Sequence, residues 1–125
     1  MAVVSSTTAK HGGDQGTRGL GAYLVTWAAL PNGDTGTPFE DVTAADRTVQ
    51  VTGTFGIGGS VNLEGSLDGT NYKVLTDPQG NALTFTAAGI EAVTEITKYI
   101  RPNVTAGDGS TSLTITVMLR RPYYG

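Results

Sequence analysis

The stretch that decides the fold is Val49-Gln50-Val51-Thr52-Gly53-Thr54-Phe55-Gly56-Ile57-Gly58-Gly59-Ser60-Val61-Asn62-Leu63-Glu64. Val49, Val51 and Phe55 fall on one face of an extended chain, and Gln50, Thr52 and Thr54 fall on the other. Gly56 to Gly59 then reverse the direction, and Val61 and Leu63 return opposite Asn62 and Glu64. Period-two alternation on both sides of a glycine turn predicts a β-hairpin.

Working outward, the same alternation recurs. Towards the N-terminus, Tyr23, Val25 and Trp27 alternate with Leu24 and Thr26, and Pro31-Asn32-Gly33-Asp34 breaks the strand. Residues 35 to 46 read as a surface loop anchored by Phe39 and Val42. Towards the C-terminus, Asp68-Gly69-Thr70-Asn71 turns into a short strand at Tyr72 to Leu75, and Asp77-Pro78-Gln79-Gly80-Asn81 turns again into Ala82 to Thr86. Residues 87 to 96 could make one helical turn, but Gly89 and the β-branched content favour a loop followed by a strand. Tyr99 to Val104 is a strand that Pro102 places at an edge or a bulge. After Ala106 to Ser110, Leu113, Ile115, Val117 and Leu119 alternate with Thr114, Thr116, Met118 and Arg120 in the strongest strand pattern of the chain. Seven to eight short strands without a long helix predict an all-β antiparallel β-sandwich, jelly-roll or immunoglobulin-like in connectivity. Residues 1–19 are polar and Gly-rich and read as an extended N-terminal arm, 20–121 as the sandwich, and 122–125 as a C-terminal tail.

Composition narrows the function classes. A hydrophobic fraction of 38% with 15% charged residues in 125 residues suits one globular domain. The net charge of −3 comes with scattered basic residues, so the concentrated basic footprint of a nucleic-acid binder is missing. No apolar run approaches membrane-spanning length, and the first residues lack the pattern of a secretory signal. With no cysteine, thiol chemistry is excluded, and one histidine leaves a zinc site short of its usual ligands. His11 lies in the arm, a poor place for the base of a catalytic triad. The glycines from Gly53 to Gly59 precede a strand rather than the helix that a phosphate loop needs. Glu91 and Glu95 lack a defined pocket for paired-carboxylate chemistry. The oxygens of Asn32, Asp34, Asp68, Asn71, Asp77 and Asp108 could ligate calcium but serve turns equally well, and no EF-hand spacing is present. The expectation is a protein without enzymatic activity, cofactor or metal, which acts by binding or assembly.

Two resemblances sharpen this. Val61-Asn62-Leu63-Glu64-Gly65-Ser66-Leu67-Asp68-Gly69-Thr70-Asn71-Tyr72 resembles the strand-turn-strand segment of discoidin-like (coagulation factor 5/8 type C) domains, with Tyr72 where tryptophan is usual. Lys98-Tyr99-Ile100-Arg101-Pro102-Asn103-Val104 resembles a second strand of that family. Those domains are jelly-roll sandwiches that bind glycans or phospholipids, so this resemblance implies a glycan module reading through Asp68, Asn71 and Tyr72. The chain as a whole, by its length, its Thr/Gly/Ala-rich strands, its polar arm and the turn Thr76-Asp77-Pro78-Gln79-Gly80-Asn81, resembles small structural proteins of tailed bacteriophages, above all head decoration (cement) proteins. That implies a homo-oligomer, a trimer by analogy, made in the host cytoplasm and bound to the major capsid protein on the capsid exterior; a tail or neck component is the neighbouring alternative. The expected contact residues are Lys10, His11 and Arg18 in the arm and Arg121, Tyr123 and Tyr124 in the tail. An arm of that kind could be removed without altering the melting of the sandwich.

Overall fold

The computed structural model describes residues 3, 4, 6–11 and 22–121, the first two of these stretches as strand pairing only. Twelve strands are present among the described residues: β1 (Val3–Val4), β2 (Ser6–His11), β3 (Ala22–Leu30), β4 (Thr35–Gly36), β5 (Phe39–Glu40), β6 (Asp46–Thr54), β7 (Ser60–Ser66), β8 (Lys73–Val74), β9 (Thr84–Phe85), β10 (Gly89–Ala92), β11 (Tyr99–Ala106) and β12 (Ser112–Arg120). They form two sheets. One runs β10-β6-β12-β3-β2; the other runs β1-β4-β11-β7-β8, with β5 also on β11 and β9 also on β7. Every pairing is antiparallel except β1 with β4, and the architecture is the expected all-β sandwich.

The inward positions are those the alternation assigns. Val25, Trp27, Val49, Val51, Ile115, Val117 and Leu119 from one sheet meet Val61, Leu63, Ile100 and Val104 from the other, all essentially inaccessible to solvent. Burying a side chain of this size stabilises by about 1.5–3 kcal/mol, against about 1 kcal/mol for an ordinary hydrogen bond, so core packing holds the sheets together. Trp27 is the largest fully buried side chain; its Nε1–H donates to the Thr37 carbonyl at 2.8 Å, which satisfies its polar edge inside the core. Gly36 lies directly over the indole. A Cβ there would overlap Trp27 Cδ1 and Pro102 Cδ.

Four sequence expectations change. The stretch from Val49 to Glu64 is not a hairpin: β6 pairs with β10 and β12, whereas β7 pairs with β8, β9 and β11. Its glycine turn carries the chain from one sheet to the other as an arch, with Gly56 and Gly58 at φ +71° and +70°. The turn between β11 and β12 crosses in the same way. Pro102 is not at an edge, since β11 has partners on both sides, while the other expected feature, a bulge, lies further along the strand as a register shift between Val104 and Ala106. The N–H of Val104 donates to Asp34, so by alternation the missing N–H of Pro102 faces the break between β4 and β5. Val42 is 70% exposed and anchors nothing; Ala44, wholly buried, takes that place beside the half-buried Phe39.

The fourth change concerns the N-terminal segment. β1 adds to β4 of one sheet and β2 to β3 of the other, with Ser6 opposite Trp27 and His11 opposite Ala22. Residues 3–4 and 6–11 therefore strap both sheets along one side. Their removal would bare the backbone edge of β3, so the expectation of unaltered melting does not stand.

Candidate assembly surface

Register places the loops at two ends. His11, Ala22, Arg120 and Asp46 lie in one cross-strand row, which brings the end of β2, the start of β3, the end of β12 and the start of β6 together. Tyr99 is paired with Ser66 and Glu40 at the same end of the other sheet. The loops 41–45, 67–72 and 93–98 share this loop pole, and Arg47 braces it from inside. Only 4% exposed, Arg47 donates from Nε to the Ala44 carbonyl at 3.1 Å, from Nη1 to Thr97 at 2.8 Å and from Nη2 to Asp41 at 3.0 Å. A rigid guanidinium fork suits three carbonyls in one plane. Burial lowers its pKa, partly countered by the Asp41 charge. Burial alone would raise the Asp41 carboxyl, but hydrogen bonds from the Thr43 and Ala44 N–H groups and the Thr43 hydroxyl, with the Arg47 charge, hold it below its ordinary value. At this pole three aliphatic side chains project into solvent: Val42 and Ile96 on the two loops that Arg47 ties down, and Leu67 on the 67–72 turn, with Ile96 55% exposed.

The segment with the discoidin-like pattern forms the expected strand-turn-strand between β7 and β8, and its polar groups serve the protein itself. Asp68 accepts the N–H groups of Thr70 and Asn71, both at 2.8 Å, and the Asn71 side chain at 2.7 Å. These bonds hold its carboxyl far below the ordinary range. The Tyr72 ring has one face covered by Arg101, whose guanidinium carbon stands 3.8 Å from the ring centre. Arg101 in turn donates to Glu64 at 3.0 Å, and Asn103 donates to the other Glu64 oxygen at 3.0 Å. The outer face of this sheet is a polar surface closed on itself.

The outer face of the β10-β6-β12-β3-β2 sheet differs. One row across it is Leu24, Met118, Thr48 and Ala92; the next is Thr26, Thr116, Gln50 and Ile90. Ile90 and Met118 are 61% and 41% exposed. They flank a hollow of about 200 Å³ floored by Leu24, Thr48, Gln50 and Thr116. The charges in these rows are confined to the loop pole, where Arg120 donates to Asp46 at 2.8 Å.

The sequence-derived contact residues divide. Lys10 and His11 lie at the loop-pole end of β2. Arg121 follows β12 at the same pole, and its buried Nε finds no hydrogen-bond partner among the described residues. Arg18, Tyr123 and Tyr124 lie outside the described residues. The reading of the sequence missed Leu67 and Ile96 and misjudged Val42; a lone aliphatic residue inside a polar turn is the signal that marks all three. Of the remaining candidates, Glu95 is bound to Thr76 through both carboxylate oxygens, while Glu91 stands on the exposed edge strand β10. Asp77 and Asp108 each accept N–H groups of their own turns. Among the described residues no group of three or more His, Cys, Asp or Glu side chains could hold a metal ion.

No protein-family model matches the chain, and no curated protein sequence matches it. Among solved structures, the YomS protein derived from the SPBc2 prophage is similar at 10% identity with a TM-score of 0.60, over 79% of this chain and 94% of that one. A cysteine peptidase from the latex of Thevetia peruviana, Peruvianin-I, is similar at 14% identity and TM-score 0.47, over 96% of this chain and 64% of that one. A carbohydrate-binding module of Cellvibrio mixtus lichenase 5A, solved with cellotriose, reaches 15% identity and TM-score 0.32, over 95% of this chain and 88% of that one. At these identities the first likeness establishes a shared fold, and the other two lie below the level at which a fold is shared: the chain is a β-sandwich of the kind seen in the prophage protein.

Proposed function

We propose that the chain is a virion structural protein of a tailed phage, a capsid decoration protein that seats its loop pole on the major capsid protein from outside. The observation that carries this reading is the fold likeness to a prophage-derived protein across 94% of that protein's length. The loop pole supplies a suitable contact: Val42 and Ile96 offer apolar area on loops held by Arg47, Leu67 adds to it from the 67–72 turn, and Lys10, His11 and Arg121 border it. Apolar side chains fixed on a braced base lose little freedom on docking, which is how a small interface gains affinity. Several copies on one lattice multiply that affinity without new contacts. In this reading the chain works as a homo-oligomer and needs no cofactor, nucleic acid or membrane.

The test is immunogold labelling of purified virions from the phage whose genome carries the chain. Label spread over the heads, with none on tails, is the expected result. Label confined to tails or necks replaces decoration with a tail or neck role. Virions without label end the virion reading.

A further inference from the structure

We propose that the outer face of the β10-β6-β12-β3-β2 sheet is a self-association surface, on which a second copy of the chain packs face to face about a two-fold axis. This goes beyond the docking of the loop pole and does not depend on a capsid. Two-fold packing puts a patch against its own copy, so the patch must be complementary to itself. A charged patch fails that test by repelling its image. Here the two central rows carry Leu24, Met118, Thr48, Ala92 and Thr26, Thr116, Gln50, Ile90 without one charge, although the chain carries 19 formal charges and a net −3.

Shape follows the same logic. Ile90 and Met118 project from the face and the hollow of about 200 Å³ lies between them, so the patch holds both the knobs and the hole that receives them. Methionine is enriched and charge depleted at the centres of protein interfaces, with polar groups at the rim. The Asp46–Arg120 pair supplies such a rim at the loop pole. Area is sufficient as well. With nine residues each in β3, β6 and β12, six in β2 and four in β10, ~4.8 Å spacing and ~3.4 Å rise give a face of about 600 Å². Two such faces bury roughly 1,200 Å², at the lower bound of stable interfaces. The opposite sheet offers no equivalent, because Glu64, Arg101 and Asn103 there are already bound to one another. The edge of β10 is guarded against strand addition by Glu91, which stands on the inward-facing side of that short edge strand opposite Val49. Association through the face is thereby favoured over association through that edge.

The test is the solution mass of the full chain by light scattering coupled to size exclusion at about 100 μM, for the wild type and for Thr116→Arg, Met118→Arg and Ile57→Arg. Ile57 is 85% exposed at the far pole and serves as the control. The expected result is twice the chain mass for the wild type and Ile57→Arg, and a single chain mass for Thr116→Arg and Met118→Arg. Far-UV circular dichroism of the two monomeric variants should match the wild type, which separates lost association from lost folding. A monomeric wild type, a stable trimer, or a dimer that survives both face substitutions overturns the proposal.

Discussion

At the residue scale, three positions carry local conflicts or dependences that substitution exposes. Ala29 in β3 has φ +57° beside a register shift, where Thr114 Oγ1 accepts its N–H at 3.3 Å. An L-residue with a Cβ pays about 1–2 kcal/mol in that region, and glycine loses only part of this to chain entropy. Ala29→Gly should therefore stabilise by roughly 0.5–1 kcal/mol, read from urea midpoints. Gly36→Ala runs the other way, because its methyl must displace Trp27 or the Pro102 ring; overpacking of this kind costs about 1–3 kcal/mol, with a shift in tryptophan fluorescence. Arg47→Lys keeps the charge and loses the fork that reaches three carbonyls, so a loss of at least about 2 kcal/mol is expected in the same assay.

At the scale of elements, the two arches behave as one unit. Asp108 in the β11–β12 turn accepts the N–H of Ile57 in the β6–β7 turn at 2.9 Å, and Thr111 Oγ1 donates to the Phe55 carbonyl at 2.8 Å. The Ile57 N–H, then the Ser110 hydroxyl and N–H, draw the Asp108 carboxyl down to about 2 from 3.8. A depressed carboxyl lends stability above its unfolded value and loses it as pH falls through the folded one. Thermal midpoints should thus fall between pH 4 and pH 2, and Asp108→Asn should lower the midpoint at pH 7 while flattening that acid limb. This clasp was not legible in the sequence. Alternation revealed where β6, β7, β11 and β12 lie and which side chains turn inward, because period two depends on local burial alone. Whether a five-residue glycine turn closes a hairpin or an arch depends on which neighbour completes the backbone bonds, and those neighbours, β12 for β6 and β11 for β7, lie far along the chain.

At the scale of the whole molecule, the strap formed by β1 and β2 links stability to assembly. Deleting residues 1–11 removes both β1 and β2 pairings; the midpoint should drop by about 5 °C or more, and edge-to-edge aggregation should appear in light scattering. Polar composition alone concealed this role, since Ser6 to His11 has no apolar alternation and is recruited by the open edge of β3. The candidate surfaces were half legible for a related reason. Lys10, His11 and Arg121 stand out by chemistry, whereas the convergence of Val42, Leu67 and Ile96 at one pole is a product of topology.

The position of β12 has a consequence for how the chain is made. It is the last strand of its sheet in sequence and lies between β6 and β3 in space. Until it leaves the ribosome, β3 and β6 have no strand to join them, and the sheets hold only the sequence-adjacent pairs β2–β3 and β7–β8. Closure of this sheet must wait for β12 to emerge and joins it to strands far back along the chain, which places the fold among slow β-rich folders. Chains stalled before Ser112 would be targets for proteases rather than shortened but working molecules.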